Sequence, residues 1–181
     1  MNDSPSIDST ENALLRQHGQ SVWSVIVRLL GDDGHDAADC FQQAYLQFVA
    51  QTGGNASVRN PSALLKKIAA ARAIDFVRRR IRERARTAMV EPDAVPSAKS
   101  FSPEAVLKEE ELRASLRFAL AEIPQEQATA FVLTAIEDVS CEDAAAAMGV
   151  TVNHLGVLLF RARKSLQAKL SVYAPEGRTK R

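Results

Sequence analysis

Arg78, Arg79, Arg80, Arg82, Arg84 and Arg86 fall within nine consecutive residues, and Arg161, Arg163, Lys164 and Lys169 form a second cluster far down the chain. The chemistry open to such side chains is neutralisation of phosphate, in which they displace the counterions that surround a nucleic acid. From Leu64 to Arg86 there are nine bases against two acids, and from Thr151 to Arg181 seven against one. The other two stretches are acidic, Met1–Ala63 at −4 and Thr87–Val150 at −8, so the formal net charge of the whole is only +1. Two basic patches parted by an acidic middle suit a polyanion gripped at two places better than a uniformly adhesive surface does.

Other chemistries find few residues. His18, His35 and His154 form no metal or catalytic constellation, and Cys40 and Cys141 lack the paired spacing of a zinc site. Two distant thiols suit a reducing compartment. There is no Gly-rich phosphate loop and no nucleophile paired with a base, so no metal, cofactor, small-molecule substrate or enzymatic activity is expected. Asp3 and Asp8, with no apolar run beside them, argue against a targeting peptide. The apolar cluster Val22–Leu30 is broken by Ser24 and Arg28 and is too short to span a bilayer. A soluble, cytoplasmic protein without membrane insertion is expected. At 181 residues and 46% hydrophobic, it has material for one domain or two small ones.

The periodicity is helical throughout, which predicts an all-α fold. A first helix is expected from about Glu11 to Leu30, capped by Thr10 and stopped by Gly31. A second, from about Asp33 to Val49, carries an apolar stripe of Ala37, Phe41, Ala44, Tyr45 and Phe48. Along another side of it run Asp36, Asp39, Gln43 and Gln47. Asn60-Pro61 is a cap followed by a first-turn proline and opens a third helix with Leu64, Ile68, Ala71, Ile74 and Val77 on its apolar side. Beyond Arg78 the bases point all the way round, so that end should face water or an anion.

Residues 87–102, with Pro92, Pro96 and scattered Ser and Ala, read as a linker. As a flexible coil such a segment spans roughly 20 Å r.m.s., with a stretched limit of about 50 Å. Ser102-Pro103-Glu104 repeats the cap-plus-proline device, opening a helix to about Ile123, and another should run from Pro124 to Glu137. The expected organisation is a disordered start (1–9), a helical domain (10–86), the flexible linker (87–102), a second helical domain (103–172) and a basic tail (173–181).

Ser140–Leu170 is the most specific segment. Ser140 can cap a short helix, Gly149 can take the left-handed conformation that ends it, and Thr151 can cap the next. That last helix has an apolar stripe of Leu155, Leu159, Ala162, Leu166 and Leu170. Short helix, Gly turn and longer helix make a helix-turn-helix, whose second member lies in the major groove when it binds DNA. On a helical wheel Val157 and Phe160 share the outward face with Asn153 and Lys164. They could touch thymine methyls or pack on a partner protein.

Four segments in order resemble one family. Asp36 to Leu46 (DAADCFQQAYL) is similar to "DAEDLVQEVFL" of the bacterial RNA polymerase sigma factors of extracytoplasmic-function type, within the sigma-70 family. Ile68 to Asp75 (IAAARAID), followed by Arg78 to Arg80, resembles "IARNRAIDxxRR". Leu116 to Pro124 resembles "ALxxLP", and Leu159 to Arg163 (LFRAR) resembles "LxRAR". The resemblance covers nearly the whole chain.

It implies a factor that directs core RNA polymerase to promoter DNA, with an anti-sigma factor as a further partner. Asp36, Asp39, Gln42, Gln43 and Gln47 would face the polymerase. Asn55, Arg59, Asn60, Lys66, Lys67, Arg72, Arg78, Arg79, Arg80 and Arg82 would meet the minus-ten region. In the family the loop before the third helix, here about 51–60, captures a flipped base, at an unstacking cost of a few kcal/mol. Thr151, Asn153, His154, Val157, Arg161, Arg163 and Lys164 would meet the minus-thirty-five region. The chain departs from the family at Leu64, often Trp there, at Ala71, often Asn, and at Gly156-Val157-Leu158, where Lys, Ser or Arg is common. A stand-alone helix-turn-helix regulator and a sigma-like interaction adaptor remain as alternatives.

Overall fold

A computed structural model describes residues 7–31, 34–53, 58–88 and 104–171. Among them there are seven α-helices and no strand. They are α1 (Ile7–Leu30), α2 (Gly34–Thr52), α3 (Pro61–Ala88), α4 (Glu104–Glu122), α5 (Gln125–Phe131), α6 (Cys141–Met148) and α7 (Val152–Lys169). The expected linker lies mostly outside the described residues, as do Asn55, Ser102-Pro103 and the tail 173–181.

Helices α1 to α3 pack side by side around Val22, Val25, Ile26, Ala37, Ala44, Phe48, Leu65, Ile68 and Ile74, all buried. Full burial of each Val, Leu, Ile or Phe side chain among them is worth about 1.5–3 kcal/mol. Trp23 meets Phe41 edge-on, with ring centroids 5.9 Å apart, and seals the α1–α2 seam. Two stripes differ from expectation. On α2 the fully buried set is Ala37, Cys40, Ala44 and Phe48, with Phe41 only partly covered. On α3 the buried face is Leu65, Ile68, Ala69, Ala70, Ala73 and Ile74, while Leu64, Ala71 and Val77 sit at its edges. Runs of alanine permit a deeper stripe than the large residues alone mark out.

The caps show which residues set the boundaries. Asn60 Oδ1 accepts a hydrogen bond from the Ala63 amide at 3.0 Å and so starts α3. Ser140 and Thr151 do the same for α6 and α7, accepting from the Asp143 and His154 amides at 3.1 Å each. Gly149, at φ 69, ends α6 in the left-handed region. The expected start at Glu11 comes too late, since α1 already begins at Ile7. Gly31 does stop α1, at φ 78. The Arg117 guanidinium from α4 stands beside that turn. Burial is the main cause lowering the Arg117 pKa; Glu110 opposes it, and Arg113 and Arg80 add to it.

The expected helix to Glu137 is interrupted. After Phe131 the chain continues as a π-helical turn, Val132–Ile136, closed by the Glu137 amide on the Val132 carbonyl at 3.0 Å. Such insertions are rare and change which residues face the neighbouring elements. Here Ile136 and Glu137 face α1 and α3. Thr129 Oγ1 is buried in the same stretch without a hydrogen-bond partner, and the structure offers no physical account of it.

The two helical units share a core. Leu120, Ile123, Ala128, Val132, Ala162 and Leu166, from the second, belong to the same buried cluster as Val22 and Ile68 from the first. Helix α3 touches α4, α5 and α6. A smaller cluster of Ala130, Leu133, Ala144, Ala145, Leu155, Leu158 and Leu159 holds the helix-turn-helix itself.

Candidate nucleic-acid interface

Helix α3 was expected to present its bases to an anion from Arg78 onward, and that fails at the first of them. Arg78 Nε donates to the Ala121 carbonyl at 2.8 Å, and Nη2 donates to the Ile123 carbonyl at 2.5 Å. Nη1 donates to Gln125 Oε1, and Gln125 Nε2 donates in turn to the Ala71 carbonyl at 2.8 Å. The Ala121 carbonyl belongs to the last turn of α4, where free acceptors and the negative end of the helix dipole favour a cation. Arg78 therefore ties α3 to the second unit.

Lys66 and Arg59 reach the same way. The Lys66 side chain is only 15% exposed and lies 3.0 Å from the Glu137 carboxylate, itself 6% exposed. Arg28 approaches the other oxygen of Glu137 to 2.5 Å. Arg59 lies 3.6 Å from Asp143, but its side chain is 69% exposed and stays open to solvent. The acidic middle of the chain thus supplies counter-charges to the first basic patch. The sequence did not assign Arg28, Gln125, Glu137 or Asp143 to this contact; for Glu137 and Asp143 the excess of acid in Thr87–Val150 was the only trace of it.

The remaining bases of α3 stay at the surface. Arg79 is exposed, with its guanidinium 5.0 Å from the Phe76 ring centre. Arg82 is exposed, while Lys67 and Arg80 are half-buried. Arg72 turns toward α2, where Nε donates to Gln47 Oε1 at 2.8 Å and Nη1 to Gln43 Oε1 at 3.4 Å. A cleft of about 340 Å³ lies between the two helices, lined by Asp39, Gln43, Gln47, Arg72, Asp75 and Arg79 among others. Residues expected to face polymerase and residues expected to face DNA therefore share one groove. Asp39, Gln42 and Gln43 are exposed, Asp36 and Gln47 half-buried, and Leu46 protrudes beside them at 59% exposure.

In the second unit α6 and α7 are turned 97° from one another, within the range of helix-turn-helix pairs. Asn153, His154, Val157, Arg161, Arg163 and Lys164 are all exposed on α7, as is Phe160. Leu158, in the expected reading turn, is instead buried in the small core. Lys169 leaves the expected phosphate set, because it pairs with Glu122 at 2.5 Å. Thr151 Oγ1 is occupied as the cap of α7.

Two matches to family models fall on these two units: Sigma-70 region 2 over residues 14–83, and Sigma-70, region 4 over residues 113–166. The chain belongs to the sigma-70 family. The relative that follows is of the extracytoplasmic-function type, which supports that type for this chain as well. Over 163 residues it is 32% identical to the ECF RNA polymerase sigma factor SigE of Mycolicibacterium smegmatis, with 90% of this chain aligned. The aligned part is 62% of that relative's length. Among solved structures it resembles the sigma factor RpoE of Bartonella quintana, crystallised with the anti-sigma factor NepR. That match has a TM-score of 0.52 at 20% identity and covers 90% of this chain and 98% of the other. It also resembles CnrH, solved with the cytosolic domain of CnrY, with a TM-score of 0.54 at 21% identity over 91% and 89% of the two chains. Both likenesses confirm the two-domain helical fold expected from the sequence. Among the described residues no single helix is long and apolar enough to cross a membrane.

Proposed function

We propose that this sigma-70 family member is a cytoplasmic promoter-specificity subunit that recruits core RNA polymerase and directs it to start sites. The observation that carries the proposal is the coexistence of three surfaces on one region 2–region 4 chain. One is the α2 face of Asp39, Gln42, Gln43 and Leu46, polar with a protruding leucine, which suits docking on a protein. The second is the exposed part of α3 around Arg79 and Arg82, which would hold minus-ten DNA through phosphates. The third is the outward face of α7, which would enter the major groove of the minus-thirty-five region. An anti-sigma factor is the further partner, since the Bartonella quintana neighbour was captured with one.

Lys66 and Arg78 would join the minus-ten contacts only after the two units part, because both now reach the second unit, whereas Arg59 is already open to solvent. Those same contacts favour a second reading, a sigma-like adaptor whose first unit meets proteins rather than DNA. One experiment separates the two. Purified protein is added to core RNA polymerase with genomic DNA, and transcript start sites are mapped. Start sites absent without the protein support the sigma role, core binding without initiation supports the adaptor, and failure to bind core removes both.

A further inference from the structure

The outward face of α7 has Val157 and Phe160 at its centre beside Asn153 and Lys164, and an arginine on each flank. At 3.6 residues per turn, Val157, Phe160 and Lys164 lie within about 40° of Asn153, whereas Arg161 and Arg163 stand about 80° to either side. Val157 is 40% exposed and Phe160 68%. No acidic residue occurs on α7. Among the described residues Arg161, Arg163 and Lys164 make no ion pair.

We infer that Val157 and Phe160 read thymine 5-methyl groups, so that the upstream promoter element is recognised by its thymines rather than by arginine on guanine. The inference rests on the promoter-binding role proposed above. A helix is about as wide as the major groove, so its centre line meets base edges while its two flanks meet the two phosphate backbones. Arg161 and Arg163 lie on opposite flanks, one for each strand. The centre has no arginine with which to make the bidentate guanine contact, and what it offers besides Asn153 and Lys164 is hydrocarbon. Thymine is the base that presents hydrocarbon in the major groove. Val157 and Phe160 are about 4.5 Å apart along the helix axis, close to the roughly 3.4 Å spacing of successive bases on a strand. Thymines at adjacent or next-adjacent pairs are the natural target. An apolar protein partner would explain the centre alone; duplex DNA supplies anions to both flanks as well, on its two backbones.

The test uses the whole protein bound to core polymerase and a promoter duplex recovered by start-site mapping. Each thymine of the upstream element is replaced in turn by deoxyuridine, which removes only the methyl. Affinity should fall about three- to fivefold at one or two positions, the loss expected for one buried methyl-sized group. Val157→Ala and Phe160→Ala should abolish that difference while leaving the salt dependence of binding unchanged, since every cation is retained. Both residues are exposed and alanine is the better helix former, so helicity and unfolding midpoint should not fall. Equal affinity for thymine and uracil at every position would overturn the inference. So would an upstream element that matters but contains no thymine, or variants that lose core binding while binding DNA normally. If the whole upstream element can be scrambled without effect, it is the minus-thirty-five role of α7 that fails.

Discussion

The Lys66 ammonium lies 3.0 Å from the Glu137 carboxylate, and this ion pair joins the helix expected to grip DNA to the acidic half of the chain. Both side chains are largely removed from water, and Arg28 completes the cluster on its more exposed side. A buried pair is costly to form and costlier to break, because the survivor is left charged and unpartnered.

Glu137→Gln should therefore destabilise the protein by about 3 kcal/mol, read as a lower urea midpoint. Lys66→Met combined with Glu137→Leu should recover most of that loss, since replacing both charges by apolar groups removes the desolvation penalty along with the attraction. If the double change costs the sum of Lys66→Met alone and Glu137→Leu alone to within about 0.5 kcal/mol, the two residues are not coupled. The Glu137→Gln variant bears on function: loosening the contact should increase core-dependent binding to minus-ten DNA by freeing Lys66 and Arg78.

Arg78 and Arg79 are neighbours with different work. Arg78→Ala removes a charged donor from the Ala121 and Ile123 carbonyls and should cost about 2 kcal/mol of stability. It should barely change the salt dependence of promoter binding if the contact to the second unit persists in the complex. Arg79→Ala should leave stability nearly unchanged and flatten the plot of log affinity against log salt by about 0.9, the value of one phosphate contact. Salt titrations of the two single variants check both at once. Equal slopes would mean that Arg79 meets no phosphate.

What was legible in the sequence follows what is local. The caps at Asn60, Ser140 and Thr151, the stop at Gly149 and the α7 stripe depend on residues within one helical turn, and all occur as their types require. The exact stripes of α2 and α3 were harder, because buried alanines carry little hydrophobic signal beside Phe41 or Leu64. Least legible was the use of Lys66 and Arg78. An arginine that caps a distant helix and one that waits for phosphate have the same local sequence, and only the partner's position distinguishes them. The π-helical turn before Glu137 adds to this, since no residue type announces it.

The two thiols should behave oppositely. Cys141 is exposed, whereas Cys40 is buried between α2 and its neighbours, and that burial pushes its pKa from 9.0 up to about 11, with Arg72 pulling weakly the other way. A thiol reagent at pH 8 should label one site per chain in the native protein and two in denaturant. The unfolded thiol ionises first as pH rises. The stability linked to Cys40 is therefore complete below pH 9 and lost progressively as pH passes through about 11. Cys40→Ala should make the urea midpoint less steeply dependent on pH in that window, and an unchanged pH profile would mean the thiol is not protected.

Gly149 and Gly156 allow a controlled comparison, because a methyl group added at either would meet nothing within 4 Å. Steric room is equal, so only the backbone can decide the outcome. Gly149 holds φ +69 at the turn between α6 and α7, a conformation that costs an L-residue roughly 1–2 kcal/mol. Gly156 sits inside α7, where glycine is worse than alanine by about 0.8–1 kcal/mol. The same chemical change should thus have opposite signs seven residues apart. Gly156→Ala should raise the melting temperature by about 2–4 °C, and Gly149→Ala should lower it by at least as much. Differential scanning calorimetry on the two variants decides it. A rise in both would mean that the turn relaxes to negative φ at little cost, and with it the angle that presents Val157 and Phe160.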